Sequence, residues 1–548
     1  MKEFAALTAL IIEPHSGMRS SLHNMLNQCE ITKIDHAASS GAAIRQLKNK
    51  SFDLIICEYD LGEGQDGQQL LEDLRNNKII TLSTVYFIVT AERSFQKVIS
   101  AAELAPTDYI LKPFTAVTLL ERIQRAVEKR TLFLPAYTMM GQGNLREAVE
   151  ACVVAQAAHP RHAVEFARLR AELHVMLGES AQAEPLYKEL FETRSVAWAQ
   201  LGLAKTLFLQ NRFEEAQVLL STLVAENVKF LDAYDWLAKT HEALGQLDQA
   251  QEMLQNAVAL SPHAVRRLRK LGDIALETGD IATAEKSFQQ VVSKARYSEF
   301  RDPEDHVRLI KTLVTKGDTA HAALILRDLE KSLGGTAKMP ACRALSAALI
   351  HAQSGDTARA AEQLANAVVA SREGVGLSNA TKMTLATSCL QNNLEEHASE
   401  VMIDVMSNAT DTLSMEKAVN VFAQAGRQDL ADNIAKESRR QVIELVSAGA
   451  EKAKNGDYRG AVALMTEAAR KLPDNPQVVF NAAVAVLKCL ENLGWDTKLG
   501  YLSRAYIDSA RRLDPTNPRL TALMNLYKAI LKKYKIAPLS DTIKLPNS

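Results

Sequence analysis

An excess of charge of one sign is lacking: 64 lysines and arginines balance 65 aspartates and glutamates, for a net charge of −1. A protein that holds nucleic acid through its phosphates usually carries a basic excess, so no nucleic-acid partner is expected. No apolar run reaches the ~18 residues of a membrane-spanning helix, so no membrane insertion is expected. The start, Met1–Leu7, carries an acid and no long apolar core, so we expect no signal peptide and a cytoplasmic protein.

Paired cysteines are also lacking. The cysteines lie far apart without a CxxC pair, at Cys29, Cys57, Cys152, Cys342, Cys389 and Cys489. This spacing predicts buried, reduced thiols, and neither a disulfide framework nor a zinc site. The sequence has no HExxH, Walker A or GxSxG motif either, so we expect a protein that is not an enzyme and carries no cofactor.

Residues 1–131 alternate short apolar runs with segments of helical periodicity. The apolar runs are Leu7–Ile12, Ile34–Ala37, Leu54–Cys57, Val85–Thr90 and Tyr109–Leu111. Continuous apolar strands that alternate with helices are typical of a parallel sheet covered by helices on both faces. We therefore predict a doubly wound α/β domain over residues 1–131.

From residue 132 onward the sequence is rich in Ala and Leu and repeats itself, at first with a period near 34. An alanine is followed four positions later by a large residue, as in Ala183/Tyr187, Ala216/Leu220, Ala250/Leu254 and Ala284/Phe288. A glycine stands five residues before many such alanines, at Gly178, Gly245, Gly279, Gly317, Gly355, Gly426 and Gly456. The glycine suits the left-handed end of a first helix, and the alanine lets a second helix approach it. Such helix pairs bury their apolar faces only by stacking, so we predict an all-α superhelical solenoid.

This region resembles tetratricopeptide repeats, most closely over Leu231–Pro262. The resemblance implies helix pairs over residues 132–534, a capping helix at Arg519–Tyr534 and a flexible tail at 535–548. It also implies a concave groove, lined by the first helix of each pair, that holds a protein or peptide. The groove residues that it implies are Trp198, Leu201, Lys205, Phe208, Lys239, Arg266 and Arg269. Two alternatives stay open: the basic run at 266–270 is a solvated face, or the apolar groove residues pack on the linker or on the first domain and close the groove.

Three motifs of the first part carry a second resemblance. They are Leu10–Pro14, Asp53–Leu61 leading to Asp66-Gly67, and Val89–Ala91 followed by Asp108–Phe114. Over residues 7–131 these motifs resemble the receiver domain of bacterial response regulators. The resemblance implies a flavodoxin-like, CheY-like fold with its site at the carboxyl ends of the strands.

The receiver resemblance also implies a set of phosphorylation residues, of which only some are present. Thr90 and Lys112 match the phosphoryl-binding positions, Tyr109 stands at a switch position, and Lys112-Pro113 matches the family's usual cis peptide. The acids depart from the pattern: Glu13 fills the first acid position, Pro14 replaces the direct metal ligand, and Glu58 replaces the phosphoacceptor aspartate. Asp60 stands where the family offers a backbone carbonyl to the metal.

These departures predict a degenerate receiver. Pro14 removes an oxygen ligand, so Mg²⁺ binding is expected to be weak or absent. Glu58 extends its carboxylate by about 1.5 Å, and a misplacement of ~1 Å can cost ~100-fold in rate. We expect that residue 58 does not take up phosphate, and that Glu58 reaches Lys112 and Thr90 where a phosphoryl group would lie. A working receiver with unusual ligands is the alternative.

The two resemblances together predict a signal-transduction regulator of the response-regulator class that acts by protein–protein interaction, without phosphorylation. Its receiver would bind a sensor histidine kinase or another signalling protein, and its repeats a further partner. Asp108 and Arg122 stand where some receivers form a homodimer, with a solvated face as the alternative. Two other interpretations stay open: an ordinary phosphorelay regulator, phosphorylated despite these changes, and a scaffold of a surface or motility assembly.

Overall fold

The computed structural model of the protein describes residues 4–62, 66–91, 106–141, 144–194, 196–228, 230–262, 264–295, 301–373, 376–408, 418–423, 425–514 and 517–536. These residues form two compact units, one within residues 1–174 and 180–305 and the other within 175–179 and 306–548. In the part of the chain that is described, no helix is long and apolar enough to cross a membrane.

The N-terminal domain is built on a five-stranded parallel sheet in the order β2-β1-β3-β4-β5. The strands are β1 Thr8–Ile12, β2 Lys33–Ala37, β3 Leu54–Glu58, β4 Val85–Thr90 and β5 Asp108–Leu111. The helices are α1 Ser16–Gln28, α2 Ser40–Asn49, α3 Gly67–Asn76 and α4 Ala116–Gly141. All five predicted strands are confirmed, with ends that differ from the prediction by one residue at most.

Helices cover both faces of this sheet. Helices α1 and α4 pack on one face, and α2 and α3 on the other. Strands β3 and β4 are buried along their whole length, which explains why their sequences are continuous apolar runs instead of alternating ones. The predicted α/β fold is therefore confirmed.

Helix α4 belongs to both predicted domains. It runs without a break for 26 residues, so the boundary that we placed at residue 131 falls inside it. Near the middle of α4, Arg130 Nη2 donates to Asp53 Oδ1 at 2.6 Å. The other oxygen of Asp53 accepts the backbone N–H and the hydroxyl of Thr8, at 3.0 and 2.9 Å. Burial opposes ionisation of Asp53, but the hydrogen bonds from Thr8 and Arg130 together lower the pKa of Asp53 below its ordinary value.

The same helix packs on the first repeats through an aromatic pair. The rings of Phe133 and Phe166 stack with centroids 4.1 Å apart, and both side chains are buried. Beside them, Lys129 Nζ donates to Glu165 Oε1 at 3.3 Å. Helix α4 therefore joins the sheet to the repeats through contacts at both of its halves.

Helices follow one another through the rest of the described chain. They are α5 Leu145–Ala158, α6 Ala163–Met176, α7 Ser180–Arg194, α8 Ala197–Leu209, α9 Phe213–Glu226, α10 Leu231–Ala243, α11 Leu247–Leu260, α12 Val265–Thr278, α13 Ile281–Ala295, α14 Pro303–Lys316, α15 Thr319–Leu333, α16 Met339–Gln353, α17 Thr357–Glu373, α18 Asn379–Gln391, α19 Glu395–Ser407, α20 Gln428–Lys454, α21 Tyr458–Lys471, α22 Pro476–Leu493, α23 Thr497–Leu513 and α24 Leu520–Tyr534. The predicted capping helix is α24, and the predicted tail lies outside the described residues from 537 onward.

The turns inside the helix pairs have the backbone that we predicted. All seven glycines named above have a positive φ, from 71° to 88°. Asn211 and Asn393 take the same left-handed conformation, with φ of 60° and 58°, in repeats without this glycine. Asparagine tolerates this region better than most residues, which explains the substitution.

Small residues lie where two helices of the array approach each other. Ala216, Ala250 and Ala284 are fully buried. Gly272 in α12 faces the ring of Phe288 in α13, and a β-carbon at position 272 would lie 2.6 Å from that ring. The alanine pattern in the sequence therefore marks the contacts inside each helix pair, as predicted.

Candidate functional site

The candidate site of the N-terminal domain lies at the carboxyl ends of four strands. Glu13 follows β1, Glu58 ends β3, Thr90 ends β4 and Lys112 follows β5. The register sets Ile12 beside Cys57 and places the ends of the neighbouring strands level. The backbone N–H of Lys112 donates to the carbonyl of Thr90 at 2.8 Å, which continues the pairing of β4 with β5.

Lys112 lies between two carboxylates. Its ammonium donates to Glu13 Oε2 at 3.3 Å and to Glu58 Oε2 in a direct contact. The lysine side chain is 18% exposed, and those of Glu13 and Glu58 are 0% and 9% exposed. Two buried carboxylates therefore share one ammonium group.

The remaining carboxylate oxygens of the pair also accept hydrogen bonds. Glu13 Oε1 accepts the backbone N–H of His15 at 3.0 Å. Glu58 Oε1 accepts the backbone N–H groups of Tyr59 and Asp60, at 3.1 and 3.4 Å. Each of the four oxygens is thus engaged by a donor of the protein itself.

Burial and the neighbouring charges shift the pKa values of Glu58 and Lys112. Burial and the charge of Glu13 raise the pKa of Glu58, although Lys112 works against this shift. Burial on its own would lower the pKa of Lys112, but the hydrogen bond to Glu58 and the charges of Glu58 and Glu13 raise it. The pKa of Glu58 is therefore raised mainly by burial, which the shared ammonium offsets only in part, and the pKa of Lys112 is raised by its two carboxylate partners.

The oxygens that remain near this site do not fit a Mg²⁺ ion. Pro14 has no side-chain ligand, and Arg19 Nη1 donates to the backbone carbonyls of Glu13 and Pro14, at 2.6 and 2.9 Å. A second cation thus lies beside the strand end where hard oxygen ligands are needed. In the described ranges, no three His, Cys, Asp or Glu side chains are grouped as metal ligands. The contacts of Arg19 with these two carbonyls have no signal in the sequence, because they depend on how α1 lies against β1.

Glu13, Lys112 and Glu58 form a buried triad, and the other predicted receiver residues lie around it. Asp60 is exposed, and its Oδ1 accepts the N–H of Gly62 at 3.0 Å. Thr90 is buried, and Tyr109 is partly buried against the side chains of one sheet face. The peptide bond Lys112-Pro113 is cis, as predicted. The contact expected between Glu58 and Lys112 is present.

The charges considered for a receiver homodimer are joined within one chain. Arg122 Nη1 donates to both oxygens of Asp108, at 2.8 and 2.9 Å. Both side chains are partly exposed. This geometry fits the solvated-face interpretation.

A second cluster lies on the first helices of three consecutive repeats. We call the surface formed by α8, α10 and α12 the first-helix face. The ring of Phe208 meets that of Trp236 at a centroid distance of 5.5 Å, nearly edge-on. Lys239 Nζ lies 4.9 Å from the Phe208 centroid and 4.7 Å from that of Trp236, and Lys205 Nζ lies 5.3 Å from the latter. These distances are in the range of cation–π contacts.

Other predicted groove residues differ in their surroundings. The guanidinium of Arg168 lies 5.0 Å from the centroid of Trp198, which is partly buried. Leu201, in contrast, is 4% exposed and packs in the core with Ala204 and Leu237, so little of its side chain is accessible in the predicted groove. The spacing of Leu201 suits the groove, but its side chain is drawn into the apolar contact between α8 and α10.

The structure adds Trp236 to the face and gives ion-pair partners to two predicted arginines. Trp236 is not among the predicted groove residues, although it lies three positions before the predicted Lys239. Arg269 donates to both oxygens of Asp305, at 2.7 and 2.8 Å. Arg266 lies 3.6 Å from Asp235.

Known protein families match both parts of the chain. The family described as response regulator receiver domain matches residues 9–124. Two families described as tetratricopeptide repeat match residues 197–221 and 237–299.

Relatives and solved structures match the same two parts. Chemotaxis protein CheY-3 of Vibrio cholerae is 30% identical over 120 residues, which are 22% of this chain and 91% of that protein. Chemotaxis protein CheY of Pseudomonas aeruginosa is also 30% identical over 120 residues, 22% of this chain and 95% of that protein. A tetratricopeptide repeat protein of Parabacteroides merdae aligns with 51% of this chain and 99% of its own, at 15% identity and a TM-score of 0.35.

Proposed function

Because the chain belongs to the response-regulator receiver family through its N-terminal domain and carries tetratricopeptide repeats behind it, we propose that it is a signalling regulator that binds other proteins and works without phosphorylation. Its output would be protein binding by the repeats and not catalysis. Its receiver would contact a sensor histidine kinase or another signalling protein of the cytoplasm.

The contact of Lys112 with Glu58 and Glu13 supports this proposal most directly. A phosphoryl group that binds this lysine must compete with the partners that its ammonium already has. In this chain, two buried carboxylates hold that ammonium. Separating a buried cation from its carboxylate is costly, because each charge would be left without compensation.

The residue at the phosphoacceptor position, Glu58, also supports the proposal. A phosphoacceptor must lie close to the phosphorus atom and to a divalent cation, since several negative charges meet in the transition state. Glu58 already directs its oxygens to Lys112 and to two backbone N–H groups. Glu58 would therefore take the place of a phosphoryl group, and the domain would keep one conformational state without phosphate.

Calorimetric titration with Mg²⁺ tests this assignment of the site. The wild-type chain should give no saturable heat, while the double variant Pro14→Asp/Glu58→Asp should bind Mg²⁺ measurably. The single variant Glu58→Asp should bind less than the double variant, because the direct ligand is still missing. Glu121→Asp makes the same chemical change on an exposed helix surface and serves as the control. Wild-type affinity equal to that of the double variant would favour an ordinary phosphorelay regulator instead.

A further inference from the structure

Three ion pairs of the first-helix face, one of them formed with Asp305 of the helix α14, share an uneven arrangement. They are Arg266 with Asp235, Arg269 with Asp305, and Lys270 with Glu242, at 3.6, 2.7 and 2.6 Å. The cationic side chains are 71%, 32% and 43% exposed, and the carboxylates only 19%, 2% and 8%. In every pair the carboxylate lies beneath and the cation lies towards solvent. The outer layer of this face is therefore basic, although the charges nearly balance in number.

Carboxylates of this face also hold Arg267 and Arg269 in place through pairs of hydrogen bonds. Asp235 accepts from Arg267 Nε and Nη2, both at 2.8 Å, and so lies between two arginines. Asp305 binds Arg269 through both oxygens. Side chains that are already fixed lose little entropy when they bind a ligand.

Aromatic rings lie next to these cations. Lys239 is exposed above the rings of Phe208 and Trp236, and both rings are partly exposed. Burial lowers the pKa of Lys205, on the same face, against the opposing charge of Asp232. The face thus offers apolar rings between hydrogen-bond donors of positive charge.

We propose that the first-helix face binds an acidic peptide segment of the partner protein, which deepens the proposed function and rests on it. Carboxylates of the segment would contact the outer cations Lys239, Arg266 and Arg269. An apolar side chain between two of these carboxylates would lie against Phe208 and Trp236. Charged hydrogen bonds between carboxylates and arginines supply the specificity, and the aromatic rings supply the buried apolar area.

A peptide fits this face better than a nucleic acid does. A single strand of RNA also combines negative charge with stacking bases, so it is the natural competitor. The phosphates of RNA follow one another at every nucleotide, however, so some would lie near acids of this region. Asp232 and Glu172 act on Lys205 with their charges, and Asp235 lies beside Arg266. The near-zero net charge of the chain offers no compensating long-range attraction. A peptide, in contrast, has few carboxylates and can match them to the outer cations without bringing further negative charges near the acids of this face.

Fluorescence anisotropy with a labelled synthetic peptide that alternates Glu with Leu tests the proposal on the full chain. The matched probes replace Glu by Lys or by Ser, and an oligo(U) RNA of equal length is the fourth probe. We expect the Glu peptide to bind at least ~10-fold more tightly than each of the other three. Tighter binding of the RNA, or equal binding of the Lys peptide, would overturn the proposal.

Charge-reversed variants locate the site. Lys239→Glu/Arg266→Glu should weaken binding of the Glu peptide by ~10-fold or more. Lys188→Glu/Lys286→Glu changes the net charge equally on second helices, where both lysines are exposed, and should leave binding unchanged. Circular dichroism shows whether both variants keep their helices. Unchanged binding in a folded Lys239→Glu/Arg266→Glu variant would contradict the proposal, whereas the Mg²⁺ titration tests the receiver separately.

Intrinsic fluorescence gives a second measurement that needs no label. The chain has three tryptophans, and the variant Trp495→Phe leaves Trp198 and Trp236, both near the proposed site. Addition of the Glu peptide should shift this emission with the midpoint that anisotropy gives. A constant emission in the presence of bound Glu peptide would place the peptide elsewhere and overturn the assignment.

Discussion

Removing the ammonium of Lys112 is the sharpest perturbation of the receiver site. In Lys112→Met, Glu13 and Glu58 would keep their burial but lose the cation that they share. Loss of one partner from a buried ion pair costs about 3–5 kcal/mol. Because the side chain of Lys112 is 18% exposed, we expect the lower end of this range, about 3 kcal/mol near pH 8.

This loss should depend on pH in a defined direction. In the wild type, the raised pKa of Glu58 means that its contribution to stability is largest at low pH and declines as pH rises through that pKa. The raised pKa of Lys112 means that its contribution is complete at neutral pH and is lost only as pH rises above its ordinary value near 10.5. Without Lys112, the pKa of Glu58 rises further, and each added unit is worth about 1.4 kcal/mol. The variant should therefore lose less stability at pH 5 than at pH 8.

Hydrogen exchange of the β3 amides measures this effect in the intact chain, where global unfolding is not two-state. After correction for the intrinsic exchange rate, the protection lost by Lys112→Met should be smaller at pH 5 than at pH 8. The double variant Lys112→Met/Glu58→Gln removes one uncompensated acid and should recover part of the loss at pH 8. An equal loss at both pH values, or a loss below ~1 kcal/mol, would refute the buried triad.

Three further predictions concern the packing, the shared helix and the first-helix face. Gly272→Ala should lower the free energy of local unfolding of α12 and α13 by about 1–2 kcal/mol in hydrogen exchange, because the new methyl group meets a buried ring. Asp53→Asn should cost about 1–2 kcal/mol at pH 7 in hydrogen exchange of β1. Because the pKa of Asp53 is lowered in the folded protein, this difference should fade as pH drops below its ordinary value of 3.8. Trp198→Ala/Phe208→Ala should weaken binding of the Glu peptide by about 2 kcal/mol, or ~30-fold, in the anisotropy assay.

Each of these predictions has its own control. Gly17→Ala adds the same methyl group in α1, where nothing lies within 4 Å, and should not destabilise the protein. A loss for Gly272→Ala no larger than that for Gly17→Ala would contradict the packing argument. If Asp53→Asn lowered the stability of β1 equally at every pH, folding would not favour the ionised form of Asp53. The Trp198→Ala/Phe208→Ala variant must retain its circular dichroism, and unchanged peptide affinity in the folded variant would place the binding surface elsewhere.

The sequence predicts most of the fold because its signals are local. A buried parallel strand is a continuous apolar run, and a helix end that needs a left-handed residue selects glycine or asparagine, as at Gly245 and Asn211. The boundary at residue 131 was placed by a change in composition. Helix α4 crosses this boundary because its helical periodicity continues past residue 131. Its first half packs on the sheet, and its second half packs on the repeats.

The candidate site was predictable in its residues but not in all of its contacts. Glu58 and Lys112 could be named because each follows a recognisable strand. The contact of Arg19 with two backbone carbonyls depends on the position of α1 and leaves no pattern in the sequence. The contacts of Leu201 and Trp236 could not be predicted either. Residue spacing indicates on which side of a helix a residue lies, but not which neighbouring side chain covers it.

The proposal that this receiver works without phosphorylation is tested most directly by the intact mass of the full chain after incubation with acetyl phosphate and Mg²⁺. The wild type should show no added phosphoryl group, because Lys112 is held by Glu58 and Glu13 and the direct metal ligand is replaced by Pro14. A stoichiometric, base-labile phosphoryl adduct in the receiver of the wild-type chain would contradict the account.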